Sequence, residues 1–137
     1  MKYPATFTPE AAGITVTFRD IPEAITQGDD EANALFMAKD VLLAAMEVYF
    51  DEKRTVPSPS APQRGDRLIP VPASVVAKIL LLNQMLEQNV IPSELARRMA
   101  TTRQEVNRLI DLKHTTRIDR IEEAMAALGR KLELSVA

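Results

Sequence analysis

The apolar residues of this chain change their spacing once, and that change limits what the chain can fold into. Near the start they alternate: Tyr3, Ala5 and Phe7, then Ile14, Val16 and Phe18, separated by polar or small residues. A period of two puts one set of side chains on one face of a strand. The two runs, interrupted at Ala11 to Gly13, therefore predict a hairpin with one buried face. Thr6, Thr8, Thr15 and Thr17 fill the other face, where β-branched residues suit a half-exposed pleat. From Ser74 onward the spacing becomes three and four, through Val75, Ile79, Leu82 and Leu86, and later Ile118, Ile121, Met125 and Leu128. That is the period of helices with one buried stripe.

The segment between these regions decides how they are joined. Glu23 to Asp30 predicts a short third strand ending at Gly28, and a helix follows from about Asp30 to Phe50. Its acidic start suits the positive end of the helix dipole. Leu35, Ala38, Leu42, Ala45 and Tyr49 form the expected buried stripe. Val56 to Gly65 holds three prolines and no apolar periodicity, so it reads as loop. "RLIPVP" after it predicts an edge strand, the place in a sheet where proline is tolerated. The expected division is an α+β domain over 1–72, with a Pro-rich loop at 55–66, and an all-α domain over 73–137. "KLELSVA" alternates Leu132, Leu134 and Val136, which predicts a short C-terminal strand.

Composition narrows the chemistry. The 137 residues contain no Cys, which removes disulfides, thiolate metal sites and cysteine nucleophiles. His114 is the only histidine, so no histidine cluster for a metal or a catalytic triad can be assembled. Glu10, Asp20, Asp40 and Asp66 would serve two-metal catalysis only if they converged. No catalytic residue, metal or cofactor is expected. The N-terminus lacks the apolar core of a signal peptide, and no run has the roughly 18 apolar residues of a membrane span, so a cytoplasmic location is expected. Charge is uneven: residues 1–72 hold 7 basic and 11 acidic residues, net −4, and residues 73–137 hold 10 and 8, net +2. Such asymmetry points to two partners.

The most informative stretch is "ELARRMATTRQEVNRLI", Glu94 to Ile110. Pro92 stands where a first helical residue is preferred, ahead of Leu95, Ala96 and Met99. Thr102 and Glu105 form a T-x-x-E capping box that starts a second helix holding Val106, Leu109 and Ile110. Thr116 and Asp119 repeat that signal for a further helix ending at Gly129. Two short helices with a tight turn, braced on either side, predict a helix-turn-helix. Small Ala96 allows a close crossing, and the second helix keeps Arg103, Gln104, Asn107 and Arg108 outward. Arg reads guanine and Gln or Asn reads adenine in the major groove. The same arginines, with Arg97, Arg98 and Arg117, equally describe a solvated face when taken without the motif.

This stretch resembles the phage-repressor type of helix-turn-helix. The resemblance implies that Thr102 caps a recognition helix, that Arg103, Gln104 and Asn107 read bases, and that Arg108 and Lys113 meet phosphates. Ala100 holds the turn position where such motifs usually place Gly, and an Ala there costs roughly 1–2 kcal/mol. The resemblance widens with "MKYPATFTPEAAGITVTFRDIPEAITQGDD", "AKDVLLAA", "RLIPVPASVVAKILLLN" and "HTTRIDRIEEAMAALG". Together, in this order, these segments resemble the HicB antitoxin family, in the branch with a C-terminal helix-turn-helix.

That resemblance implies an N-terminal partial RNase H-like domain that binds and masks a HicA-type toxin, an mRNA interferase. It also implies a C-terminal domain that binds the operator of its own operon as a homodimer or higher homo-oligomer. The acidic first half would complement a basic RNA-cutting partner. The competing readings are a dimeric ligand-sensing transcriptional repressor without a toxin partner, and a nuclease using an RNase H-like site. An adjacent small basic toxin gene is expected only for the antitoxin.

Overall fold

A computed structural model describes all of residues 1–137. The alternating runs pair as expected: β1 (Lys2–Glu10) and β2 (Gly13–Phe18) form an antiparallel hairpin across Ala11 and Ala12. β3 (Ile25–Gly28) joins the far side of β2, and β4 (Arg67–Pro70) the far side of β1, giving the order β3-β2-β1-β4. The Pro-interrupted "RLIP" is thus an edge strand. β1 also tolerates two prolines, and the register explains how. Its pairing with β2 begins only at Ala5, beyond Pro4, and its pairing with β4 ends at Ala5, before Pro9. Each proline lies where β1 has a single neighbour, so its missing N–H interrupts no ladder on the other side.

Tyr3, Ala5, Val16, Phe18 and Ile69 face inward and are buried. Phe7 is only half-buried, with the Arg67 guanidinium 5.2 Å above its ring. Helix α1 (Glu31–Asp51) begins with a reciprocal cap. The Asn33 N–H donates to Asp30 Oδ1 at 2.8 Å, and the Asp29 N–H donates to Asn33 Oδ1 at 2.9 Å. Two donors left without intrahelical partners are thereby satisfied. The buried stripe is Ala34, Ala38, Leu42, Ala45, Met46 and Tyr49. Leu35, expected in that stripe, is instead 38% exposed. The cause is the approach of β3: a Cβ on Gly28 would lie 2.4 Å from the Ala34 backbone. Only a small side chain fits beneath that contact, so Ala34 faces the sheet and Leu35 turns outward.

The chain divides into two compact units, Met1–Tyr49 with Val56–Pro72, and Phe50–Thr55 with Ala73–Ala137. The second contains α2 (Ala73–Glu87), α3 (Pro92–Arg98), α4 (Arg103–Leu109) and α5 (Ile118–Ala127). α2 packs against α5, and α3 against α4 and α5. Ile79, Leu82, Leu95, Val106, Leu109 and Ile121 are among its fully buried side chains. None of the helices is long and apolar enough to cross a membrane.

Three helix ends share one device. Asn89, Ala100 and Gly129 have positive φ of 56, 54 and 72°. The N–H of each following residue reaches back five positions: Val90 to Met85 O, Thr101 to Ala96 O and Arg130 to Met125 O, at 2.8–2.9 Å. This is the Schellman closure, which satisfies carbonyls that the helix leaves open.

Two expectations are corrected here. Residues 130–137 form no strand; Leu132 is buried but Leu134 and Val136 are 76% and 100% exposed. A strand needs an edge to pair with, and no strand lies within the helical unit that holds this tail. The Thr116–Asp119 capping box also does not form. Arg117 is the N-cap of α5 with no side-chain cap, and Thr116 Oγ1 is buried without a hydrogen-bond partner. The helix begins one residue later than the motif predicts, so the Thr hydroxyl lies outside the capping position.

Candidate nucleic-acid interface

α3 and α4 have seven residues each, far below the length at which an isolated helix holds in water. They persist because neighbouring groups hold their ends. Thr102 is extended, at φ −96° and ψ 155°, and its Oγ1 accepts from the Glu105 N–H at 3.1 Å. This is the forward half of the predicted capping box. The Glu105 carboxylate does not return to Thr102 but pairs with Arg108 Nη1 at 2.6 Å. Arg120 of α5 reaches the turn between the helices, donating to Thr101 Oγ1 at 3.2 Å.

The C-terminal side of α4 is fixed by Lys78, a residue that interrupts the apolar run of α2. Its side chain is buried, and its ammonium donates to the carbonyls of Arg108 at 3.1 Å, Asp111 at 2.7 Å and His114 at 2.5 Å. A buried ammonium is tolerated because all three of its protons are used. Burial pushes the Lys78 pKa down, and the Asp111 charge acts in the opposite direction. The lysine thereby sets the path of the loop that follows α4. Its only trace in the sequence is a lone lysine inside the apolar helical run Val75 to Leu86.

With both ends held, α4 buries Val106 and Leu109 and turns Arg103, Gln104, Asn107 and Arg108 to solvent. Arg103, Gln104 and Asn107 make no side-chain hydrogen bond within the chain, whereas Arg108 is held by Glu105. Lys113 is exposed in the loop after α4, where its N–H donates to Asp111 Oδ1 at 2.9 Å. Between α4 and the start of α5 lies a cleft of about 190 Å³ whose lining includes Arg108, His114, Thr115, Arg117 and Arg120. On α3, Glu94 takes three hydrogen bonds from Arg97 and Arg98, at 2.6–3.1 Å. These guanidiniums hold its pKa down at about 2. The outward row of α4 carries side-chain types that form paired hydrogen bonds with base edges, bordered by cations suited to phosphates.

Of the four candidate carboxylates, Asp20 and Asp66 are engaged in holding a loop, while Glu10 and Asp40 lie exposed on β1 and α1. Asp20 accepts from the Ser60 N–H and hydroxyl at 2.9 and 3.0 Å. Asp66 accepts from Arg19 at 2.9 Å and the Gln63 N–H at 2.6 Å, and Arg19 also donates to Ser60 and Ala61. Asp66 is lowered in pKa chiefly by its hydrogen bond from Arg19. Asp20 and Asp66 therefore pin the Pro-rich loop. Tyr3 joins them, its hydroxyl donating to Pro57 O at 2.6 Å, with burial raising its pKa to about 12. No three His, Asp or Glu side chains come together in a metal-binding group.

Comparison with known proteins reaches both units. The profile of a family described as a HicB-like antitoxin of a bacterial toxin–antitoxin system matches residues 2–80. "Antitoxin HicB 2" of Photorhabdus laumondii subsp. laumondii is 46% identical over 134 residues, covering 98% of this chain and 95% of the relative. "Antitoxin HicB" of Escherichia coli K12 is 46% identical over 135 residues, covering 98% of each. "Antitoxin HicB" of Pseudomonas fluorescens is 37% identical over 128 residues, covering 93% of this chain and 88% of the relative.

Proposed function

The chain belongs to the HicB-like family of antitoxins from bacterial toxin–antitoxin systems, and from that membership we propose a division of labour between its two units. The first unit, as a partial RNase H-like fold, masks a HicA-type mRNA interferase. The second, as a helix-turn-helix, binds the operator of the chain's own operon in the cytoplasm and represses it. α4 lies in the major groove, where Arg103, Gln104 and Asn107 read base edges, with Thr102 at the helix start. Arg108 and Lys113 meet phosphates.

One observation carries the DNA reading. Arg103, Gln104 and Asn107 stand outward together, with no hydrogen-bond partner in the chain, on a helix held at both ends. A polar row serving only solvation needs no such rigid mount. The proposal includes a homodimer, because a module of this kind reads two half-sites about one helical turn apart. The C-terminal tail supplies a contact between copies: Leu134 and Val136 stand exposed two positions apart, as on one face of a strand, and an identical tail pairs with them.

Arg103→Ala tests the base-reading role. Binding to the DNA upstream of the chain's own gene is expected to weaken by on the order of 1–3 kcal/mol, with relaxed preference at one base pair. Fluorescence anisotropy on that duplex and on a scrambled duplex measures both. Equal loss on the two duplexes would reduce Arg103 to a phosphate contact.

A further inference from the structure

We propose that the outward face of α1 is the surface on which the first unit receives its toxin. This assignment rests on the antitoxin reading above and adds the place of contact and its chemistry. α1 is apolar on both sides. Its inner stripe is buried, yet Phe36 is 67% exposed and Val48 47%, with Leu35 and Ala44 also exposed and Val41 and Leu43 half-buried. Between Leu35 and Val48 the only charged residues are Lys39, Asp40 and Glu47. Lys39 and Asp40 are exposed on this helix, yet Leu35, Phe36, Ala44 and Val48 leave its outer side far more apolar than a face that only meets water. Large apolar side chains left in solvent on one helix mark a contact site.

The shape and charge of this face point to one kind of occupant. Near the C-terminal half of α1 is an open cleft of about 240 Å³, lined by Glu23, Val41, Ala44, Ala45, Val48 and Tyr49. Its floor is aliphatic. Glu23 stands at its edge, accepting from the Tyr49 hydroxyl at 2.7 Å. An apolar cleft edged by one carboxylate suits an arginine or lysine, whose methylene stem packs on Ala44 and Val48 beside the acidic charge of Glu23. The wider surface agrees, since residues 1–72 carry net −4. The occupant is therefore a protein with a basic rim around an apolar anchor, which under the antitoxin reading is the toxin. A second copy of this chain would bring acid against acid. The open face of the sheet also exposes Ile25 and Leu68, but these stand on opposite edge strands, separated by Thr6, Thr8, Thr15 and Thr17, whose hydroxyls water satisfies.

The test uses the full chain and the HicA-type toxin encoded beside it, with binding measured by calorimetry. Phe36→Asp combined with Val48→Asp is expected to weaken binding by roughly thirtyfold or more, the size of a central contact. Thr17→Asp, on the open sheet, is expected to stay within about threefold of wild type. Unchanged melting by circular dichroism verifies that each variant folds. If aspartate on α1 unfolds the chain, Phe36→Ala with Val48→Ala gives the same comparison at smaller amplitude. Wild-type affinity in the α1 variants, with or without a change in the mass of the free chain, would overturn α1 as the dock while leaving the antitoxin reading intact. Failure of the wild-type chain to bind the toxin would overturn that reading itself.

Discussion

The ammonium of Lys78 is the only charged group buried in the core, and it donates to three main-chain carbonyls in and after α4. Lys78→Met keeps the stem and its packing but leaves those carbonyls without a donor. The expected loss is on the order of 1–3 kcal/mol of unfolding free energy, measured by urea denaturation. A variant as stable as wild type would show that water replaces the ammonium and that the loop needs no clamp. Residue identity made some of these roles legible in advance. Thr102 as a cap follows from side-chain chemistry at a fixed offset, and Ala100 in a left-handed turn from the resemblance to the phage-repressor motif; both are observed. Lys78 was opaque because its partners are carbonyls 30 to 36 positions away, and main-chain carbonyls leave no mark in a sequence.

α3 is too short to stand alone, and its ion pairs show how an element of this size responds to pH. Glu94 is held at about 2 against an ordinary 4.5 by hydrogen bonds from Arg97 and Arg98. A carboxylate depressed in the folded state stabilises the fold above its unfolded value. That contribution is lost as pH falls from about 4.5 toward about 2. Glu94→Gln should therefore flatten the fall of stability across that window, seen as urea midpoints at a series of pH values. Added salt should shrink the difference, since the group is exposed. Superimposable profiles for wild type and variant would mean that the arginines gain nothing from the pair.

At this same scale, strands and helices were legible wherever apolar period was long, as in β1, β2 and α2. Helix ends were less so. Of the three left-handed closing residues only Gly129 is a glycine; Asn89 and Ala100 rely on the closing hydrogen bonds to hold them. The outward turn of Leu35 was hidden for a related reason: it depends on Gly28, in another element, coming close to Ala34.

For the whole molecule, if the second unit binds DNA as proposed, the distribution of charge argues that one copy would grip it weakly. The second unit has net +2, and Arg97, Arg98, Arg108 and Arg120 are already engaged by Glu94, Glu105 and Glu123. Affinity from phosphate contacts grows with the number of phosphates neutralised, so a single copy gains little from counterion release. Under the proposed operator reading, two copies on two half-sites would double that number and add their base contacts, so that operator binding would depend on association of the chain. The tail is the element left over for that role, with Leu134 and Val136 in solvent. Deleting the residues after Gly129 is therefore expected to lower the solution mass toward that of one chain. Operator binding should weaken, and the slope of log affinity against log salt should become shallower, because fewer phosphates are neutralised per bound species. Light scattering reads the mass and anisotropy titrations at several salt concentrations read the slope. An unchanged mass after truncation would place the association elsewhere, and an unchanged slope would mean that one copy already makes every phosphate contact.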